Sequence, residues 1–123
     1  MSDLKEIHYV EIPAKDLEAT KAFFIKAFGW SFEDFGPEYT AYTSPGGYGG
    51  FYQSELSSNT EGGAALVVFY CRELEKTLRD VKDAGGVINK EIFPFPGGRR
   101  FHFIEPSGNE FAVWSDCYSR SGS

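Results

Sequence analysis

The strongest constraint on this chain is that it repeats. A shift of 57 residues lays Asp16-Leu17 on Glu73-Leu74 and Ala27 on Ala84. A shift of 61 lays Tyr42-Thr43-Ser44-Pro45 on Phe103-Ile104-Glu105-Pro106, and Gly47 on Gly108. The difference of four residues (61 − 57) falls in the segment Phe93–Gly98. Repetition at this spacing means one supersecondary unit used twice.

The unit can be read from residue patterns. Ile7–Ile12 (IHYVEI) is rich in β-branched and aromatic residues and predicts a strand, ended by Pro13, which cannot donate to a ladder. Asp16 sits where an N-cap belongs, Leu17, Phe24 and Phe28 recur at helical spacing, and Gly29 suits the residue past a helix end, so Asp16–Phe28 predicts a helix. Gly36-Pro37 and Pro45-Gly46-Gly47 separate three further strands, Ser31–Phe35, Tyr39–Ser44 and Gly49–Gln53. The polar stretch Ser54–Gly63 reads as an exposed linker. The order then returns. A strand at Ala64–Cys71, apolar enough to be buried on both faces, precedes a helix at Glu73–Ala84. Strands follow at Val87–Ile92, Arg100–Ile104 and Glu110–Ser115, with a loop over Phe93–Gly98. The expectation is an α+β fold of two paired βαβββ modules, forming a curved mixed sheet around a cleft with the helices outside. One domain spans 1–123: module 1 about 6–54, linker 55–63, module 2 about 64–116, and a frayed tail over 117–123.

Composition narrows the function. A net charge of −6 with scattered Lys and Arg argues against a nucleic-acid partner. The longest apolar stretch, Ala64–Cys71, is too short to span a bilayer, and the first residues lack a basic-then-apolar leader. Cys71 and Cys117 read as reduced thiols of a cytoplasmic protein. Twelve Phe, seven Tyr and two Trp exceed what a core of this size needs, and the surplus suits a pocket wall or a subunit interface.

Three stretches resemble the vicinal oxygen chelate superfamily, which includes glyoxalase I, the bleomycin-resistance proteins and the extradiol dioxygenases: HYVEIPAKDLEATKAFFIKAFGW at 8–30, SPGGYGGF at 44–51 and FIEPSGNEFAVWS at 103–115. The resemblance covers about Ile7 to Ser115 and implies paired βαβββ modules and often a homodimer. Metal-dependent members carry His and Glu ligands on four strands facing the cleft. Those positions correspond here to Tyr9, Phe51, Leu66 and Ala112. Phenyl, isobutyl and methyl groups hold no divalent ion and a neutral phenol is a poor ligand, so no metal or other cofactor is expected.

Strand alternation from these four positions puts Tyr9 and Glu11, Gly49 and Gln53, Val68 and Tyr70, and Glu110 and Trp114 on the cleft side. Arg100 and His102 share one face of their strand, toward the cleft or solvent, opposite Phe101 and Phe103. The candidate ligand-binding residues are therefore Tyr9, Glu11, Phe51, Gln53, Leu66, Tyr70, Arg100, His102, Ala112 and Trp114. Tyr9, Phe51 and Trp114 either line the cleft or plug it as core. Gly49 and Gly50, lacking side chains, leave room for a ligand or a partner backbone. Glu11 and His102 are the catalytic candidates if there is a reaction, since a carboxylate in an apolar cleft titrates nearer neutrality. As surface residues they would do no more than meet solvent. A metal-independent protein that sequesters or carries a small, partly aromatic compound is the leading expectation. The alternative is a lyase, isomerase or dioxygenase-like enzyme with a non-standard metal site or Glu/His acid–base catalysis.

Overall fold

The computed structural model describes residues 5–117. The first module runs β1 (Tyr9–Ala14), α1 (Leu17–Phe28), β2 (Ser31–Asp34), β3 (Tyr39–Ser44) and β4 (Gly47–Gln53). The second runs β5 (Val67–Tyr70), α2 (Leu74–Asp83), β6 (Val87–Phe95), β7 (Gly98–Ile104) and β8 (Glu110–Ser115). Each module forms its own four-stranded mixed sheet, in the orders β1-β4-β3-β2 and β5-β8-β7-β6. The matching orders are the repeat in three dimensions. The tail expectation falls, from residue 118 on, outside the described residues.

Local chemistry sets α1. The Asp16 carboxylate accepts from the Ala19 amide at 3.0 Å, and Gly29 closes the helix at φ 71°, donating to the Ile25 and Phe24 carbonyls. Phe23 and Phe24 face inward. Phe24 lies 5.6 Å from Phe51 of the first sheet and 5.4 Å from Phe111 of the second. One ring thus packs against both modules, and the shared core also takes in Trp30, Tyr42, Phe101 and Phe103.

Both expected strand ends at proline are displaced. β1 continues through Pro13 to Ala14, and β6 continues through Pro94 to Phe95, where a loop was expected. The reason is position. β1 and β6 are edge strands, where half the backbone amides point away from the ladder. The Pro13 carbonyl accepts from Asn109 Nδ2 at 2.7 Å, so that side of the backbone faces the other module rather than β4. β5 is shorter than expected and is also an edge strand: Val67 and Phe69 pack inward, while Val68 and Tyr70 are 40% and 50% exposed. The linker is not a free exposed segment either. Ser58 donates its amide to Asn109 Oδ1, Glu110 donates its amide to the Ser58 carbonyl, and Ser57 donates its hydroxyl to the Ser107 carbonyl.

Candidate functional site

Each sheet has one face covered by helices and one open face. In the first sheet the register is Tyr9↔Tyr48, Glu11↔Gly50 and Pro13↔Tyr52, with Tyr39 opposite Tyr52 and Ala41 opposite Gly50. These residues form the open face. Ile12 pairs with Phe51 and Ala14 with Gln53, so Phe51 and Gln53 lie on the helix-covered face, contrary to the alternation expected from Phe51. Phe51 is fully buried against Phe24 and Tyr42. Gln53 donates its amide to the Lys15 carbonyl. The sequence misleads here because Gly49 and Gly50 carry no side chains. Alternation is then marked only by Tyr48, Phe51 and Tyr52, which are aromatic on both faces. The room left by the glycines is filled from within. A Cβ on Gly49 would stand 2.4 Å from the Tyr42 ring, and one on Gly50 would stand 2.0 Å from the Tyr39 hydroxyl.

Across the open face runs a chain of hydroxyls. The Tyr39 O–H donates to Glu11 Oε2 at 3.0 Å, which leaves the Tyr39 oxygen to accept from the Tyr9 O–H at 2.6 Å. Burial, and then the hydrogen bonds with Tyr9 and Glu11, push the Tyr39 hydroxyl far above its ordinary value of 10.0, so it stays a donor. Tyr9, within this chain, and Tyr48 and Tyr52, on the same face, are 41%, 55% and 38% exposed.

The second sheet places its residues as alternation expects. Val68, Ala112 and His102 lie in one row, Tyr70, Trp114 and Arg100 in the next, and Glu110 beside Ile104, all on the open face. Leu66 precedes β5 and is half-buried. Ala112 is fully buried, and His102 and Glu110 nearly so. His102 Nδ1 and Glu110 Oε2 are 3.2 Å apart. On the other side of the ring, Arg100 donates from Nε and Nη2 to His102 Nε2 at 3.3 and 3.1 Å. A guanidinium only donates, so Nε2 carries a lone pair and the imidazole proton sits on Nδ1, given to Glu110. Glu110 also accepts from the Thr60 amide and hydroxyl at 2.8 Å each, and from Asn89 at 3.3 Å. Burial alone would raise its carboxyl. The Thr60 amide, His102, the Thr60 hydroxyl and Asn89 outweigh it and hold the group at about 2. Thr60 and Asn89 escaped the sequence reading, because one sits in a linker without periodicity and the other beside a register shift in β6.

Above this polar line lies an aromatic wall. Trp114 is 5.1 Å from Tyr70 and 6.0 Å from Phe95, and Arg100 sits over the Phe93 and Phe95 rings at 5.9 and 5.6 Å. Tyr70 donates to Asp116 at 2.7 Å, and that bond and then burial raise its hydroxyl to about 12. Where the β1 and β5 edges approach, Tyr9, Tyr48 and Val68 line a cavity of about 310 Å³ together with Trp30, Tyr42 and Phe69. A second cavity, about 440 Å³, lies behind it between Phe28, Trp30, Phe69 and Cys71. Both cysteines are free, and burial raises the Cys71 thiol.

The donor set does not fit a divalent ion. The positions read as ligand positions hold Tyr9, Phe51, Leu66 and Ala112, Phe51 being turned to the helix-covered face and Leu66 lying ahead of β5, and His102 and Glu110 have their acceptor atoms engaged by Arg100, Thr60 and Asn89. Among the described residues, no three His, Cys, Asp or Glu side chains cluster as a cation site.

The family model described as Glyoxalase/Bleomycin resistance protein/Dioxygenase superfamily matches residues 6–113. Solved structures share the fold at low identity. A glyoxalase-related enzyme from Fulvimarina pelagi aligns at 18% identity over 91% of this chain and 88% of its own, with a TM-score of 0.76. A lactoylglutathione lyase from Agrobacterium tumefaciens aligns at 16% over 93% and 96%, with a TM-score of 0.70. A mutant of the genomically encoded fosfomycin resistance protein of Listeria monocytogenes, complexed with Mn(II) and 1S,2S-dihydroxypropylphosphonic acid, aligns at 17% over 96% and 94%, with a TM-score of 0.75. No curated protein matches the chain.

Proposed function

Since the chain belongs to the Glyoxalase/Bleomycin resistance protein/Dioxygenase superfamily, we propose that it is a metal-independent member, cytoplasmic, that holds a small, partly aromatic compound against the open faces of its sheets. One observation carries the reading: those faces offer aromatic rings and hydrogen-bonding groups where a metal-dependent member would offer ligands. Tyr48, Tyr52, Tyr70 and Trp114 supply apolar area for a flat molecule, and Tyr9, Glu11 and Arg100 stand ready for its polar ends. The same exposed rings suit pairing of two copies, so a homodimer belongs to the proposal. No helix among the described residues is long and apolar enough to cross a membrane.

Titration with aromatic compounds of neutral, acidic and basic character, followed by tryptophan fluorescence after dialysis against EDTA, tests the binding. Trp114 is the reporter, being half-exposed, whereas Trp30 is buried. A saturable response in EDTA is expected, lost in Trp114→Phe. Silence from every class removes the reading.

A second reading, an enzyme with His102 as base, is favoured by one observation: Glu110 fixes the ring's tautomer as an orienting carboxylate does. It requires Arg100 to release Nε2. Mass spectrometry of bound compounds after incubation decides between the two. Conversion abolished by His102→Gln makes the protein an enzyme; recovery of unchanged ligand leaves it a carrier.

A further inference from the structure

We infer that the compound held on the second sheet is an aromatic carboxylic acid whose carboxylate pairs with Arg100; the inference rests on the binding function proposed above. Two neighbouring arginines differ in their partners. Arg99 and Arg100 are consecutive on β7 and so point to opposite faces. Arg99, beside α2, is bridged to both oxygens of Glu75. Arg100, on the open face, meets no carboxylate among the described residues, although the chain carries eighteen Asp and Glu. Its partners are a neutral imidazole and the faces of Phe93 and Phe95. The nearby Glu110 does not serve it, because both Glu110 oxygens are taken by Thr60, His102 and Asn89.

The geometry of what remains is specific. A guanidinium has five N–H donors in a rigid fork. The edge formed by Nε and Nη2 is directed at His102. The end of the fork, Nη1 with the second N–H of Nη2, has no partner among the described residues. Two parallel N–H groups match the two oxygens of a carboxylate. The aromatic shelf of Phe95, Trp114 and Tyr70 begins beside that fork, so an acid anchored there lays a planar body on the rings. His102 stiffens the arginine from behind, and Glu110 orients His102, so the cation is held in place before the ligand arrives.

Calorimetric titration of the full chain with three acid–amide pairs tests this: trans-cinnamate and cinnamamide, 1-naphthoate and 1-naphthamide, indole-3-acetate and indole-3-acetamide. At least one acid should bind ten-fold or more tighter than its amide. In Arg100→Gln that preference should shrink to within two-fold. Thermal denaturation of the variant identifies an unfolded sample, and Arg100→Lys, which keeps the charge but loses the fork, should retain part of the preference. Equal binding of acid and amide, or a preference that survives Arg100→Gln, overturns the acid assignment while leaving small-molecule binding intact. Absence of binding by all six probes overturns it too, and the fluorescence screen of broader compounds then decides separately whether any ligand is held.

Discussion

Two buried carboxylates of the second module respond to pH in opposite directions, because their partners differ. Glu110 sits at about 2 against an ordinary 4.5, since four donors hold its charged form despite burial. Its contribution to stability is complete above about 4.5 and is lost as the pH falls toward 2. Glu105 is pushed the other way by burial, against hydrogen bonds from Ser107, Thr20 and Asn109, so its effect is fullest in acid and fades as the pH rises above 4.5. Urea unfolding at intervals between pH 6 and pH 2.5 separates them. The wild-type protein should lose stability in acid. Glu110→Gln should flatten that fall, and a slope unchanged by the substitution would refute the assignment. Neither role was legible in the sequence, which marks Glu105 as part of a turn and Glu110 as a cleft-facing strand residue. Desolvation and donor count are properties of the packed neighbourhood.

At the scale of elements, the first module's open face depends on how tightly β1, β3 and β4 approach. Gly49 lies under the Tyr42 ring and 2.4 Å, by its would-be Cβ, from the Val10 carbonyl. A methyl group there meets backbone, which cannot swing away. Gly49→Ala should therefore cost about 1–3 kcal/mol, read by chemical denaturation. Gly50 meets only Tyr39, whose ring can rotate outward. Gly50→Ala should cost less, and it should break the Tyr9–Tyr39–Glu11 chain, visible as a downward shift in the Tyr39 titration. Equal costs at the two glycines would mean that the ring, not the backbone, limits the space. The first helix was readable residue by residue, because Asp16 and Gly29 act through contacts within their own turns. The strand ends were not, because whether Pro13 or Pro94 stops a strand depends on which neighbour the strand has.

At the scale of the whole molecule, the two modules are joined by side chains of the turn between β7 and β8. The Glu105 carboxylate accepts from Thr20 of α1 at 2.7 Å, Ser107 Oγ accepts from the Asp16 amide at 3.1 Å, and Asn109 reaches the Pro13 carbonyl. Glu105 is 2% exposed, so its partners have no water to turn to. Glu105→Gln places an amide among donors and should cost about 1–3 kcal/mol in urea unfolding. Ligand affinity at Arg100 should hold, since that site lies within the second module. Association of two copies belongs to this scale as well. Light scattering should give twice the chain mass, and Tyr48→Lys should shift the population to monomer if the first sheet's open face is the contact. A dimer indifferent to that substitution places the contact elsewhere.

The sequence by itself determined the repeat, the two helices, the succession of strands and helix within each module and the second sheet's open face. All of these follow from short-range periodicity and from residues whose backbone preferences act locally. The first sheet's open face escaped it, because two glycines erased the alternation that a strand needs to declare its sides. Only the tertiary structure decided that Phe51 belongs to the core, that Thr60 and Asn89 cap Glu110, and that the end of the Arg100 fork meets no partner among the described residues. Each of these rests on which distant segments meet, and proximity in space fixes solvation, donor count and charge pairing in a way that neighbours along the chain cannot.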